Sequence, residues 1–257
     1  MTQAPLLRVS DLSVRFGGVV ALAGVSFDLA PGAIVGLIGP NGAGKTTLFN
    51  CISRLYMPHE GDIAFRGRSI LNLPPHRIAP LGIGRTFQNL ALFPRLSVRD
   101  NVLIGAHCRG RSDFLSDALR LPWIGAEERR LRALADALLA RMGLAGLAQT
   151  PVGALTFAMQ KRVELARALA LEPTLLLLDE PAGGLNHEEI EGLNQQIRTL
   201  RDERNLSILV VEHHMQLVMA VSDKVVAFDF GRKIAEGTPA EIQRDPLVIR
   251  AYLGAAA

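Results

Sequence analysis

The sequence predicts an α/β protein with a mainly parallel sheet and a helical insertion. Three observations support this prediction. An apolar run at residues 33–38 leads through a glycine-rich loop into a helical pattern from about Lys45. Two β-rich runs, residues 175–178 and Ser207–Val211, flank a helical pattern at 188–204. Because a strand, a helix and a strand in that order place the two strands in parallel, these runs belong to one sheet.

The first 30 residues have the alternating pattern of β-strands. Apolar side chains recur at every second or third position in two stretches. The first contains Leu7, Val9, Leu12, Val14 and Phe16, and the second contains Val25, Phe27 and Leu29. Such alternation is typical of half-buried strands, and Gly17 with Gly18 provides the turn between them. Residues 63–65 suggest a further strand, and residues 224–235 suggest a late hairpin that turns at Gly231.

The middle of the chain changes to a helical period. Leucines, alanine and methionine recur at helical spacing between charged residues, at Leu131, Leu134, Ala135, Leu138 and Met142. One apolar stripe on a charged helix packs against neighbouring helices. We therefore expect a single domain over residues 1–257 with a helical subdomain inserted at approximately 89–160, and a further helix at 160–171.

Composition limits the function classes. The 257 residues are 49% hydrophobic and 21% charged, with a formal net charge of +3. This suits one core with an inserted subdomain, and the charge is too small to indicate nucleic-acid binding. Residues 1–11 lack a secretory pattern, and no apolar run approaches the roughly 20 residues that span a bilayer. Cys51 and Cys108 have no metal-like spacing, so we expect reduced thiols in a cytoplasmic protein.

A phosphate-binding loop follows the apolar run. The pattern G-x-x-x-x-G-K-[ST] is matched at every position by Gly39, Pro40, Asn41, Gly42, Ala43, Gly44, Lys45 and Thr46, with Thr47 next. Glycines let backbone N–H groups converge on phosphate oxygens, and the helix N-terminus adds partial positive charge. Lys45 reaches the β- and γ-phosphates, and the Thr46 hydroxyl binds Mg²⁺. A chance match in a glycine-rich turn is the alternative, but the flanking strand and helix favour a P-loop NTPase core that binds a nucleoside triphosphate with Mg²⁺.

Two acids end the buried run at 175–178. Ligands collect outside the carboxyl ends of parallel strands, so Asp179 and Glu180 are expected at the same edge as the phosphate loop. Asp179 suits the Mg²⁺ shell, and Glu180 is placed to polarise an attacking water. The alternative interpretation is that both acids are simply solvated at a strand end. The presence of the phosphate loop in the same sequence argues against it.

Together these motifs resemble those of ABC transporter ATPases. The matching segments, in the family's order, are residues 39–46, 85–88, 155–160, 179–181 and 212–213. The resemblance extends from Leu7 to Leu253 and is greatest to the paired ATPase subunits of branched-chain amino acid uptake systems. The segments that indicate this branch are residues 15–18, 85–88, 183–186, 211–213 and 252–254. The implied fold is the ABC ATPase fold, with an N-terminal antiparallel β-subdomain, a P-loop core with a mainly parallel sheet and the helical insertion.

The resemblance also assigns further residues. It implies that Phe16 stacks on adenine, that Gln88 bridges Mg²⁺ and the attacking water, and that His213 contacts the γ-phosphate. Asn186 stands where the wider family often has Asp, and still offers an acceptor for contacts across a dimer. His214 is interpreted as exposed or structural.

The signature segment departs from the family pattern. The usual sequence is LSGGQ, whereas residues 155–159 read LTFAM. Thr156 keeps a hydroxyl for the opposite γ-phosphate and can cap the following helix. Ala158 keeps its N–H but adds a methyl group, which is tolerated if its φ is negative. Because helix N-termini generally use negative φ, we expect a working site. A positive φ at Ala158 would instead let the site close only poorly and slow its turnover.

Partners are also implied by the resemblance. We expect transmembrane permease subunits, a second ATPase subunit, identical or a sister, in a head-to-tail dimer, and indirectly an external solute-binding protein, but no nucleic acid. The chain is expected on the cytoplasmic face of the inner membrane, powering import of branched-chain or other hydrophobic amino acids. Urea, amides or another small solute remain alternative cargoes. A soluble ABC protein is less favoured, since no second ATPase domain, long linker or strongly basic segment is present. A kinase or GTPase is less favoured because Gln88, Glu180 and His213 occur in series and no [NT]-K-x-D segment is present.

Overall fold

The computed structural model describes residues 4–109 and 122–253, which form two compact units. The first unit contains Met1–Ile78 and Thr174–Ala257, and the second contains Ala79–Pro173. The helical subdomain predicted at approximately 89–160 lies within the range of the second unit, and its residues 110–121 lie outside the described part of the chain.

The described elements are numbered in chain order. The strands are β1 (Leu7–Phe16), β2 (Val19–Leu29), β3 (Ile34–Ile38), β4 (Glu60–Phe65), β5 (Arg68–Ser69), β6 (Ile83–Arg85), β7 (Leu175–Asp179), β8 (Ser207–Val211), β9 (Lys224–Asp229) and β10 (Arg232–Gly237). The α-helices are α1 (Lys45–Ile52), α2 (Val98–Ala106), α3 (Pro122–Arg141), α4 (Phe157–Leu169), α5 (His187–Arg204), α6 (Met215–Val221), α7 (Pro239–Ile242) and α8 (Pro246–Leu253). Short 3₁₀ turns lie at Pro75–Arg77, Ala79–Leu81, His107–Arg109, Ala145–Leu147 and Val152–Ala154.

An antiparallel sheet forms the N-terminal part of the first unit. Its strand order is β2-β1-β4-β5. Strands β1 and β2 pair from Leu7 with Leu29 to Phe16 with Val19, around the predicted glycine turn. Alternate side chains of β2 are buried towards its end, at Val25, Phe27 and Leu29, as expected for a sheet with one face on the core. The predicted antiparallel β-subdomain is confirmed.

A mainly parallel sheet forms the core of the first unit. Its strands in this unit run in the order β10-β9-β3-β8-β7, and the pairs of β3 with β8, β3 with β9 and β7 with β8 are parallel. Every residue of β3, β7 and β8 is buried. Strands buried on both faces are continuous apolar runs, which is why the sequence pattern identified them. Because β3, β7 and β8 are parallel, their carboxyl ends lie at one edge of the sheet. The phosphate loop follows β3 at this edge, and Asp179 and Glu180 lie at the end of β7.

In the described part of the second unit, three α-helices pack together. Ser97 is the N-cap of α2, and its side chain accepts a hydrogen bond from the Asp100 N–H; Thr156 is the N-cap of α4. The helices share an apolar core that contains Val98, Val102, Ala106, Ala135, Leu138, Leu139, Val163, Leu165, Ala166 and Leu169. Among residues 4–109 and 122–253, we find no helix whose length and apolar character would let it cross a membrane.

Candidate functional site

The phosphate loop joins the end of β3 to the start of α1. Gly44 precedes the helix with φ 100°, and a Cβ there would lie 2.5 Å from the Ala21 carbonyl oxygen. Gly39 opens the loop with φ 148°, and a Cβ there would lie 2.3 Å from the Phe228 carbonyl oxygen. Both positions therefore require glycine, since a side chain would meet backbone atoms in a conformation that other residues rarely adopt. The strand and helix context predicted from the sequence is present.

Lys45 lies buried inside this loop. Its side chain is 5% exposed, and Nζ donates hydrogen bonds to the carbonyl oxygens of Gly39 at 2.6 Å and Pro40 at 2.8 Å. Burial lowers the pKa of Lys45, while the negative charges of Glu180 and Asp179 act in the opposite direction. The ammonium group thus lies near both carboxylates, and its carbonyl partners are groups that phosphate oxygens can replace.

Glu180 and His213 are brought together beside the loop. Asp179 ends β7 with 2% exposure, and Glu180 follows with φ 48°, a left-handed conformation that is uncommon outside glycine and recurs at functional sites. The Glu180 N–H donates to the Val211 carbonyl oxygen at 2.9 Å. His213 Nε2 lies 2.6 Å from Glu180 Oε1. Two residues predicted to act at the γ-phosphate are therefore in direct contact.

Glu212 is a residue of this site that the sequence reasoning did not assign. Its side chain is 1% exposed. Oε1 accepts a hydrogen bond from the Ala182 N–H at 2.6 Å, and Oε2 accepts from the N–H groups of His213 at 2.9 Å and His214 at 3.2 Å. The carboxylate therefore ties the segment after Glu180 to the segment that carries His213. A buried acid directly before a candidate site histidine was the available signal, because buried charges need partners.

Glu212→Gln should destabilise the first unit. One amide oxygen replaces two acceptor atoms, so either the Ala182 N–H or the N–H groups of His213 and His214 face an NH₂ group. We expect the free energy of unfolding in urea to fall by about 1–3 kcal/mol, the cost of a buried donor left without a partner. The control is Glu189→Gln, where a single oxygen can still accept the one bond of a capping box. Equal stability of the two variants would contradict this role of Glu212.

Phe16 is exposed, as an adenine-stacking residue would be. It ends β1 with 47% exposure, so it is not a core residue of the strand. Its ring lies edge-on to Tyr56, with ring centroids 5.1 Å apart. Tyr56 is 40% exposed. Its position beside Phe16 could not be predicted, since it follows α1 and meets β1 only through the tertiary fold.

Gln88 lies in the second unit, on the exposed loop between β6 and α2. Helix α4 holds this loop within the unit. Glu164, which is 1% exposed, accepts a hydrogen bond from the Phe87 N–H at 3.1 Å, and Arg167 donates to the Ala91 carbonyl oxygen. Burial raises the pKa of Glu164, and the N–H groups and Arg167 act in the opposite direction. The sequence reasoning missed both anchoring residues.

The signature segment also lies in the second unit. The Thr156 hydroxyl caps α4 by accepting a hydrogen bond from the Met159 N–H at 3.4 Å, as predicted. Ala158 lies in the first turn of α4 and is not among the residues with positive φ. The helical conformation expected for Ala158 is therefore confirmed. Phe157 is 47% exposed, with Lys161 Nζ 5.6 Å from its ring centroid.

Asn186 and His214 have local roles in the first unit. Asn186 is the N-cap of α5: its side-chain oxygen accepts from the Glu189 N–H at 2.9 Å, and Glu189 accepts in return from the Asn186 N–H. The acceptor expected to face a dimer partner is thus already engaged, although a carbonyl oxygen can accept two bonds. His214 is exposed and precedes α6, and its side chain makes no capping bond.

Comparison with known proteins decides the family. Residues 22–183 match the family model described as ABC transporter. The chain belongs to the ABC transporter family. Residues 232–257 of this ABC protein match a second model, described as branched-chain amino acid ATP-binding cassette transporter. As an ATP-binding subunit of this family, the chain hydrolyses ATP to power transport.

Individual relatives cover nearly all of this ABC subunit. The high-affinity branched-chain amino acid transport ATP-binding protein BraF of Pseudomonas aeruginosa is 42% identical over 252 residues, which are 98% of this chain and 99% of BraF. The ADP conformation of MJ1267, an ATP-binding cassette of an ABC transporter, superposes with TM-score 0.85 at 30% identity and covers 98% of this chain and 100% of its own. The dimeric structure of a post-hydrolysis state of the ATP-binding cassette MJ0796, bound to ADP and Pi, has a TM-score of 0.77 at 25% identity. The match covers 91% of this chain and 98% of the MJ0796 chain.

Proposed function

We propose that the first unit binds MgATP through the phosphate loop and hydrolyses it with Glu180 as the base. The observation that carries this proposal is the 2.6 Å contact between Glu180 and His213, together with a buried Lys45 whose pKa is influenced by the charges of Glu180 and Asp179. In this assignment, backbone N–H groups of residues 39–47 surround the phosphates and Lys45 binds their β- and γ-oxygens. Phe16 stacks on adenine through its exposed ring face.

The oxygen donors of the site fit Mg²⁺. Thr46 is exposed in the first turn of α1, and the buried Asp179 carboxylate ends β7, a parallel strand of the same sheet that β8 separates from β3. Magnesium prefers such hydroxyl and carboxylate oxygens, supplemented by water and phosphate. We assign Thr46 and Asp179 to the ion. Contact of Gln88 with the ion and the attacking water is what the family resemblance implies. An ion held by these residues would supply positive charge against the phosphate oxygens.

Proton transfer is assigned to the residues at the strand ends. Glu180 accepts the proton of the attacking water, and His213 holds the γ-phosphate and releases its contact with Glu180 to do so. The buried Glu212 carboxylate holds the His213 backbone in place by accepting a hydrogen bond from the His213 N–H.

A second ATPase subunit completes each site in this proposal. The chain carries one phosphate loop and one signature segment, and the related cassette MJ0796 has been seen as a dimer. Thr156 and the N–H of Ala158, at the N-terminus of α4, would bind the γ-phosphate held by the other subunit. The partner is an identical chain or a sister subunit.

Ala158→Gly tests whether the atypical signature limits turnover. Because Ala158 is helical, the substitution relieves no backbone strain, and we expect turnover of the assembled transporter to stay within about two-fold. Glycine in the helix should lower the free energy of unfolding by about 0.5–1 kcal/mol. Ala140→Gly is the control, at an exposed position of α3 in the same unit. It measures the stability cost of glycine in a helix without changing the signature segment. A ten-fold rise in turnover, about 1.4 kcal/mol of barrier, would show that the native signature is impaired.

The proposed cargo is a branched-chain or other hydrophobic amino acid. Support comes from the 42% identity to BraF and from the match of residues 232–257 to the branched-chain amino acid cassette model. The chain would act on the cytoplasmic face of the inner membrane, bound to transmembrane permease subunits and served by an external solute-binding protein. Nothing in this assignment requires nucleic acid.

Solute-dependent ATPase activity distinguishes the cargoes. The chain is co-purified from membranes with its partner subunits, reconstituted in lipid and supplied with the binding protein. We expect leucine, isoleucine or valine to stimulate ATP hydrolysis. Stimulation by urea or acetamide alone would instead favour the small-solute alternative. Activity that never depends on membrane partners would favour a soluble ABC protein.

A further inference from the structure

The last helix of the described chain packs beside the phosphate loop. Helix α8 begins after Asp245, whose Oδ1 accepts hydrogen bonds from the N–H groups of Leu247 at 2.7 Å and Val248 at 3.3 Å. Val248 is 4% exposed, and Tyr252, four residues later, lies on the same helix face. Both pack on a buried cluster that includes Ile38, Val218, Val225, Ala227 and Ile242. Because Ile38 directly precedes the phosphate loop, this packing places α8 against the start of the loop.

The Tyr252 hydroxyl contacts the loop backbone. It accepts a hydrogen bond from the Gly39 N–H at 2.7 Å. Gly39 is buried, and its carbonyl oxygen accepts from Lys45 Nζ at 2.6 Å. One residue therefore connects the tyrosine of the last helix to the lysine that is predicted to bind phosphate. Burial raises the pKa of Tyr252, so the hydroxyl is neutral at physiological pH.

The backbone of Gly39 is closely confined by its conformation and by its neighbours. Its φ of 148° and the Phe228 carbonyl oxygen, 2.3 Å from where a Cβ would stand, confine the residue closely. A buried N–H that loses its partner costs free energy, so the backbone would move to find water or another acceptor. Such a movement would carry the Gly39 carbonyl away from Lys45. The loop conformation thus depends on a side chain that is distant in sequence.

We propose that Tyr252 is a positioning residue for the phosphate loop, and that docking of α8 sets the nucleotide affinity of the site. This inference rests on the proposed binding of MgATP by that loop. With the hydroxyl present, the loop is held in one conformation. Without it, the loop samples others, and the apparent Kd rises in inverse proportion to the fraction that remains competent.

Tyr252→Phe removes the hydroxyl and keeps the ring that packs on the cluster. If about one-fifth of the loops remain competent, the Kd for MgATP rises about five-fold. Turnover per bound ATP should change by less than about two-fold, since the variant leaves Glu180 and His213 in place. Amide hydrogen exchange at Gly39 should accelerate, because its N–H is no longer bonded.

The measurement is titration calorimetry of the purified full chain with MgATP, together with hydrogen exchange of the segment that contains Gly39. Leu247→Ala is the matched control, as Leu247 is a 52% exposed residue of the same helix, and it should leave both quantities unchanged. A Tyr252→Phe variant with the wild-type Kd and wild-type exchange at Gly39 would overturn the inference, even if its unfolding temperature were lower. Failure of the wild-type chain to bind MgATP would instead refute the proposed function.

Discussion

Glu180→Gln should lower ATP turnover by about 10²-fold or more while MgATP binding persists. Glutamine keeps the size and the hydrogen-bonding oxygen of the side chain but cannot accept a proton from water. The contact with His213 Nε2, now 2.6 Å from Glu180 Oε1, can still form with the amide. Lys45 and His213, which are assigned to the phosphates, are unchanged in this variant, so nucleotide binding is retained while the proton transfer is lost. A nucleotide-bound dimer should therefore accumulate.

Single-turnover hydrolysis and nucleotide binding by the assembled transporter measure the two quantities separately. The matched control is Glu60→Gln, which removes the same charge from an exposed position of β4 and should leave turnover unchanged. Near-normal turnover of the Glu180 variant would remove the base assignment. Loss of binding together with turnover would indicate that Glu180 mainly maintains the loop structure.

Lys45→Met should weaken MgATP binding by roughly 10- to 100-fold. A charge-assisted hydrogen bond contributes about 1.5–3 kcal/mol, and about 1.4 kcal/mol corresponds to a factor of ten in Kd. Methionine retains an apolar stem in the buried position, so the site loses its charge without a large cavity. Turnover at fixed ATP should fall with the loss of binding.

Calorimetric titration with MgATP gives the affinity, and thermal unfolding reports whether the variant remains folded. Lys233→Ala, at an ion-paired position of β10, removes a positive charge elsewhere in the same unit and should bind MgATP normally. A folded Lys45→Met chain whose Kd lies within about two-fold of the wild-type value would exclude Lys45 from phosphate binding.

Much of the fold follows from signals that are local in sequence. Continuous apolar runs identified the buried strands β3, β7 and β8, and the alternation of the first 30 residues identified the antiparallel sheet. Helical spacing predicted α3, where Ala135 and Leu138 are buried. Thr156 was predicted to cap α4 because a hydroxyl at a helix start has one well-defined partner. Glycine spacing predicted the phosphate loop for a similar reason, since the required backbone conformations restrict the residue type.

Contacts between distant segments could not be predicted in the same way. Tyr252 meets Gly39 across 213 positions, and Glu212 meets the Ala182 N–H across 30. Neither contact leaves a periodic or motif-like signal, because a backbone N–H can belong to any residue. The left-handed conformation of Glu180, with φ 48°, could not be predicted either, since a Glu–Pro sequence does not specify that conformation. These tertiary contacts determine how precisely the predicted site residues are held.

ATP-dependent uptake of radiolabelled leucine by proteoliposomes tests the central claim most directly. The vesicles contain this chain with its membrane subunits, the binding protein is loaded with leucine, and Glu180→Gln replaces the wild-type chain in the matched sample. We predict leucine accumulation that requires ATP on the side exposing this chain and that falls to background with Glu180→Gln. Equal uptake by the two samples, or uptake without ATP, would contradict the conclusion that hydrolysis at this site powers import.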